Sequence, residues 1–303
     1  MSSVIQPDPT AIGDISTPPF AVLPDPATLF ATRARRLRQL STVSEMAPYL
    51  DFVAGIVEAQ VAILPGLPEP ELPDAEALAR AREFGMPPLD RTRFALDETV
   101  ETTLDRLFNA ARAVPKPETA AAALGRLTRA DAIARTEMVS NVLGHSIPVE
   151  ALAEHVYVAA ALQVHFARLA SRLELGRLVT VGDGICPCCG GPPVASLIVE
   201  WPTAHGSRFC ACALCGTLWN YVRIRCTSCG TTKGIGYQEI EGGSGTIKAE
   251  TCEECRTYVK VLYQHKDVGI EPVADDVASL ALDLLMREGP YRRAAFNPFL
   301  LGY

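Results

Sequence analysis

Eight of the ten cysteines in this chain stand in four Cys-x-x-Cys pairs: Cys186/Cys189, Cys212/Cys215, Cys226/Cys229 and Cys252/Cys255. Thiolates are soft ligands, and two of them two residues apart can grip one ion from a single tight turn. Two such turns complete a tetrahedral site. The third and fourth pairs repeat the first and second at a constant offset: Cys226 answers to Cys186, Cys229 to Cys189, Cys252 to Cys212 and Cys255 to Cys215. The interval between the two knuckles is therefore the same in each half. Local pairing assigns Cys186, Cys189, Cys212 and Cys215 to one ion, and Cys226, Cys229, Cys252 and Cys255 to another. An interleaved arrangement, with the first and third knuckles sharing an ion, is the alternative. The duplication favours local pairing, because each unit is then self-sufficient. Gly190, Gly216 and Gly230 directly follow knuckles, which suits turns that need a positive φ.

Four sulfurs in a tetrahedron accept either iron or zinc. Zinc would be structural, since four protein ligands leave no open position for a substrate, whereas iron would also permit one-electron chemistry. The commonest role of such a site is that of a staple: a structural ion contributes on the order of 10–16 kcal/mol to a small module. Cys188, inside the first knuckle, and Cys210, two residues before Cys212, are left over. They read as small buried thiols, or alternatively as a reactive pair or a spare ligand beside the first site. No catalytic residues stand out. His155 and His165 lie on different parts of the circumference of one helical segment, and the chain has no His-Glu-x-x-His, Walker loop, dinucleotide fingerprint or Gly-x-Ser-x-Gly. The expectation is a protein that is not an enzyme.

The elements that must position these knuckles fall into two compositions. Residues 1–24 are rich in Pro, Ser and Asp and predict a flexible arm. Residues 25–178 predict an all-α domain. Asp25 and Pro26 start a first helix that carries Leu29, Phe30, Ala34 and Leu37 at helical spacing, with Arg33, Arg35, Arg36 and Arg38 interleaved as a solvated face. A second helix is expected over 48–64, and others near 75–85, 98–114, 117–126, 129–143 and 148–174. At about residue 180 Gly, Cys and alternating segments take over. Residues 179–224 and 225–268 read as two metal modules packed together, with strands at 218–224 and 258–263 and a turn at Gly242–Gly245. Residues 269–303 predict a C-terminal helix, about Asp275–Arg287, and a tail. The fold class is thus multidomain α+β.

With 303 residues, 48% of them hydrophobic, the chain can build a substantial core. Its net charge of −7 argues against generic nucleic-acid or anionic-membrane binding. Between Cys186 and Tyr263, seven Lys and Arg face six acids, unlike the basic footprint of a nucleic-acid-binding ribbon. Met1–Thr17 does not read as a secretory signal, and no apolar run approaches the roughly 18 residues of a membrane span. Cysteines that arrive in pairs at metal-ligand spacing, after more than 180 residues with none, point to a reducing, cytoplasmic setting rather than a disulfide scaffold.

Several linked segments make the chain resemble the formate dehydrogenase accessory protein family, FdhE. Toward the N-terminus these are Leu29-Phe30, Arg33-Ala34-x-Arg36-Leu37, Tyr49-Leu50-x-Phe52 and Gln60. In the cysteine region they are Cys186-Pro187-x-Cys189-Gly190, Arg223-x-x-Cys226 and Lys248-Ala249-Glu250-x-Cys252. Thr257-Tyr258-x-Lys260, Tyr263-Gln264, Ala274-Asp275-Asp276 and Asn297-Pro298-Phe299-Leu300 complete the series. The resemblance implies a helical domain followed by two rubredoxin-like (zinc-ribbon-like) modules with iron as the metal. It also implies a cytoplasmic maturation factor that binds the catalytic subunit of a molybdenum- or tungsten-dependent formate dehydrogenase. The eight paired cysteines match the family pattern, whereas Cys188 and Cys210 fall outside it. An iron-dependent redox protein acting on the same client is the alternative.

Overall fold

The computed structural model describes residues 17–301. Most of the expected arm lies outside them, but its last residues are fixed: β1 (Ala21–Val22) is a strand rather than loose chain. Seven α-helices follow among the described residues: α1 (Pro26–Ser41), α2 (Ala47–Ile63), α3 (Ala75–Glu83), α4 (Glu98–Ala111), α5 (Glu118–Leu127), α6 (Ala132–Gly144) and α7 (Leu152–Ala170). Asp74, Asp97 and Asp131 cap α3, α4 and α6 by accepting the N–H groups of Ala77, Val100 and Ala134. The Ala-rich α7 is buried on nearly all sides and packs against α2, α4, α5 and α6. With its short extension to Gly66, α2 is long and apolar enough by length and composition to cross a membrane, contrary to the sequence expectation. Leu50, Val53, Ile56 and Val57 of this helix are nevertheless sealed inside the core.

Two three-stranded meanders form the second half. The first is β2 (Pro193–Ile198), β3 (Arg208–Cys212) and β4 (Leu218–Tyr221); the second is β5 (Ile235–Gln238), β6 (Ile247–Cys252) and β7 (Thr257–Tyr263). Each is antiparallel, and the offset that relates the cysteines also carries one meander onto the other. They do not merely abut. β2 pairs in parallel with β7, Ser196 opposite Val261, so both halves share one sheet of order β1-β4-β3-β2-β7-β6-β5, with β8 (Arg292–Arg293) also on β7. β4 stops at Tyr221 rather than continuing to residue 224. The guanidinium of buried Arg208 takes up the carbonyls of Val222, Arg223 and Arg225 and forms an ion pair with Glu250 of the other meander, 2.8 Å away. The link between the halves is folded around one cation instead of lying in a ladder.

The expected C-terminal helix is two, α8 (Pro272–Ala278) and α9 (Leu280–Arg287). The break at Ser279 follows from competition for carbonyls: buried Lys260 of β7 donates to Asp276 O and Ser279 O, and Ser279 Oγ donates to Asp275 O. Residues quoted above for the resemblance meet here. Arg33 pairs with Glu271, Arg36 with Asp275 and Asp267, Lys260 with Asp276 and Asp283, and Asn297 donates to Asp276. Arg33 and Arg36 are therefore not a solvated face. They fasten α1 to α8, and only Arg35 and Arg38 conform to the exposed reading.

Candidate metal centres

Each knuckle is built by the same backbone device. The N–H four residues after the first cysteine returns to that cysteine's carbonyl: Gly190 to Cys186, Gly216 to Cys212, Gly230 to Cys226 and Arg256 to Cys252, at 3.0–3.2 Å. The returning residue is left-handed in all four, with φ of 76°, 74°, 73° and 55°. Glycine supplies this freely in three knuckles; Arg256 adopts it in the fourth.

The knuckles converge within each repeated unit, not across units. The sulfurs of Cys186, Cys189, Cys212 and Cys215 lie within 4.8 Å of one another, as do those of Cys226, Cys229, Cys252 and Cys255. In the first group, Cys186 Sγ is 3.6 Å from Cys215 Sγ and Cys189 Sγ is 3.4 Å from Cys212 Sγ. In the second, Cys226 to Cys255 is 3.6 Å and Cys229 to Cys252 is 3.7 Å. A tetrahedron with metal–sulfur bonds of about 2.3 Å has edges of about 3.8 Å, so both groups are close to the size an ion requires. Each could hold one ion, and either zinc or iron suits four thiolates. In the first group burial drives the Cys186 thiol well above its ordinary pKa. Burial also opposes ionisation of Cys215, but hydrogen bonds from its neighbouring cysteines win and hold it well below.

Superposing the two repeats exposes a further pair of residues that the cysteine count overlooks. Thr217 Oγ1 lies 3.2 Å from Cys215 Sγ, and Thr257 Oγ1 lies 3.0 Å from Cys255 Sγ. Against a metal-bound thiolate the hydroxyl is the donor, and it stabilises the charge. Aligning the repeats on their cysteines places Thr217 on Thr257, and that was the available signal.

The two groups differ in surroundings. The first lies under the helical half: Leu89 N–H donates to Cys188 O and Arg91 N–H to Cys189 O, at 2.8 and 3.3 Å. A polar relay reaches the second knuckle from the other side. Gln60 of α2 donates to Gln163 of α7, which donates to Ala213 O at 2.7 Å. Cys188 and Cys210 are both fully buried, and Cys188 stands within hydrogen-bond reach of Cys186, Cys215 and Thr217 beside the first group. Cys210 faces Ser196, and burial pushes its thiol up to about 11. His155 and His165 stay in the helical core, far from any ligand role. His155 Nδ1 lies 2.7 Å from Ala151 O, and the ring of His165 packs edge-on against Phe94.

Similarity to known proteins extends over nearly the whole described chain. Models of the FdhE family match in order: the N-terminal model over residues 18–183, the central domain over 185–223 and the C-terminal domain over 224–300. The chain is 46% identical to a protein of Rhizobium meliloti named Protein FdhE homolog, covering 99% of each. A homolog of the same name from Enterobacter sp. is 34% identical over 93% of this chain and 91% of its own. The crystal structure of the FdhE protein from Pseudomonas aeruginosa superposes with a TM-score of 0.83 at 34% identity, covering 94% of this chain and 99% of that one.

Proposed function

The chain belongs to the FdhE family, and from that premise we propose that it is an accessory protein in the maturation of formate dehydrogenase, binding the enzyme's catalytic subunit in the cytoplasm. The observation that carries this reading is the pair of four-cysteine groups in one continuous sheet, braced against a helical domain. Cys186, Cys189, Cys212 and Cys215 would hold one ion; Cys226, Cys229, Cys252 and Cys255 would hold the other. The knuckle geometry supports a rubredoxin-like description of each module, and the family resemblance, not the geometry, favours iron over zinc. Four protein ligands fill a tetrahedral ion, so the centres leave no position for a substrate, and the role is recognition rather than catalysis. Deleting the gene from a host that makes formate dehydrogenase should abolish that activity while the enzyme polypeptide persists. Normal activity in the deletion strain would overturn the proposal.

A second reading has a specific observation behind it. Cys229 is exposed, so an iron ion in the second group would sit within reach of an electron donor or acceptor. Metal content and the visible absorption spectrum of anaerobically purified protein separate the two readings; zinc at both sites would rule out the redox role.

A further inference from the structure

The two four-cysteine groups share one repeated layout, yet the chain encloses them unequally. Cys186, Cys189 and Cys215 are completely buried and Cys212 is 2% exposed, whereas Cys229 is exposed and Cys255 half-buried. The difference originates in what covers the four turns. At the first knuckle, the helical half contributes the Pro87 ring, 3.0 Å from where a Cβ on Gly190 would stand, together with the Leu89 and Arg91 backbone bonds. At the second, the Leu29 side chain of α1 and Pro24 lie against Gly216 so closely that a Cβ would collide with Leu29. The equivalent of Gly216 in the second unit is Arg256. It keeps the left-handed turn, and its side chain projects into solvent, where it pairs with exposed Glu253. The third knuckle meets the Gly184 backbone at Thr227 and the partly exposed pair Asp183 and Arg225, and with these in place Cys229 is still exposed. The hydroxyl partners follow the same division, Thr217 fully buried and Thr257 half-buried.

We infer that the second group, Cys226, Cys229, Cys252 and Cys255, is an exchangeable metal site open to external ligands, and that the first group is a locked one. The inference rests on the reading that both groups bind an ion. Before a metal–thiolate bond can be replaced, a proton must reach the sulfur or an incoming ligand must reach the ion beside it. At Cys229 that sulfur is already at the surface, and a small local opening suffices. At the first group no sulfur can be reached until the Pro87–Arg91 segment and α1 lift away, which breaks part of the interface between the two halves of the protein. Any transaction of bound metal with the outside, whether loading, loss or contact with a partner's ligand, therefore takes place at the second group. The first remains part of the fold.

The test uses the full chain loaded with zinc, a redox-inert probe, and an excess of a chromogenic chelator. Two ions per chain are verified before the chelator is added. One equivalent should leave at least about tenfold faster than the other. Iodoacetamide added at the end of the fast phase should modify Cys226, Cys229, Cys252 and Cys255 and spare Cys186, Cys189, Cys212 and Cys215. Release of both ions at one rate, or modification of the first group before the second, would overturn the inference. Fewer than two ions at the outset would instead overturn the two-ion reading on which it stands. The measurement needs no variant, so a failure to fold cannot obscure it.

Discussion

Thr217 and Thr257 show how much a single hydroxyl can matter beside a thiolate. Both lie close to the last cysteine of their group, but Thr217 is buried while Thr257 reaches solvent, which can replace a lost donor. Thr217→Val should therefore destabilise the metal-loaded protein by about 1–3 kcal/mol and Thr257→Val by less, read from urea midpoints. Equal effects would mean that burial does not set what the hydroxyl contributes to the sulfur. Two histidines, His165 buried and His145 half-buried, make a separate residue-level prediction. Burial lowers His165 to about 4, and burial together with the neighbouring Arg91 guanidinium lowers His145 to about 3. Below the ordinary value of about 6.5 the unfolded chain binds protons that the folded chain refuses, so stability is full above that pH and falls as pH drops toward 4. His165 alone accounts for about 2 kcal/mol between pH 7 and 5, and His165→Asn should flatten the measured loss by that amount. An unchanged pH slope in the variant would show that His165 titrates normally.

Among the elements, the four turns behave as one structure with different neighbours. Gly216 has φ of 74° with Leu29 against it, and Arg256 has φ of 55° with its side chain in solvent. Gly216→Ala should cost more than about 1 kcal/mol, from both backbone strain and the collision with Leu29. Arg256→Gly should leave stability within about 1 kcal/mol of the parent, since the left-handed strain it relieves offsets the added freedom of the unfolded chain. Denaturation of the two variants side by side checks the pair; a tolerated Gly216→Ala would contradict the close packing of α1 on the second knuckle. The turns were legible in advance because glycine after a knuckle has a local cause. Most strands were not. β2, β3, β5 and β6 are short, and β2 and β3 are buried on both faces, so they lack the alternation that announces a half-exposed strand. The break between α8 and α9 was invisible for another reason: its cause, Lys260, belongs to a separate element, the preceding strand β7.

For the molecule as a whole, the helical and sheet halves are joined by buried charge. Arg33–Glu271 and Arg36–Asp275 make that join, and α8 is fastened in turn to β7 and β8: burial opposes ionisation of Asp276, but Lys260 and Arg293 hold its carboxyl below the ordinary range. Composition revealed the two halves, and the cysteine repeat revealed the two groups, because both signals are local. The parallel pairing of β2 with β7 and the capture of Arg33 and Arg36 by α8 and its approach depend on partners far away along the chain, and no periodicity encodes them. Each repeat must hold its own ion for the two halves to act as described, and metal content is the direct check. Protein purified without oxygen should carry two ions of iron or zinc per chain, and Cys229→Ser should carry one, retained by Cys186, Cys189, Cys212 and Cys215. A single ion in the parent protein, or a Cys229→Ser variant that keeps both ions or loses both, would contradict it.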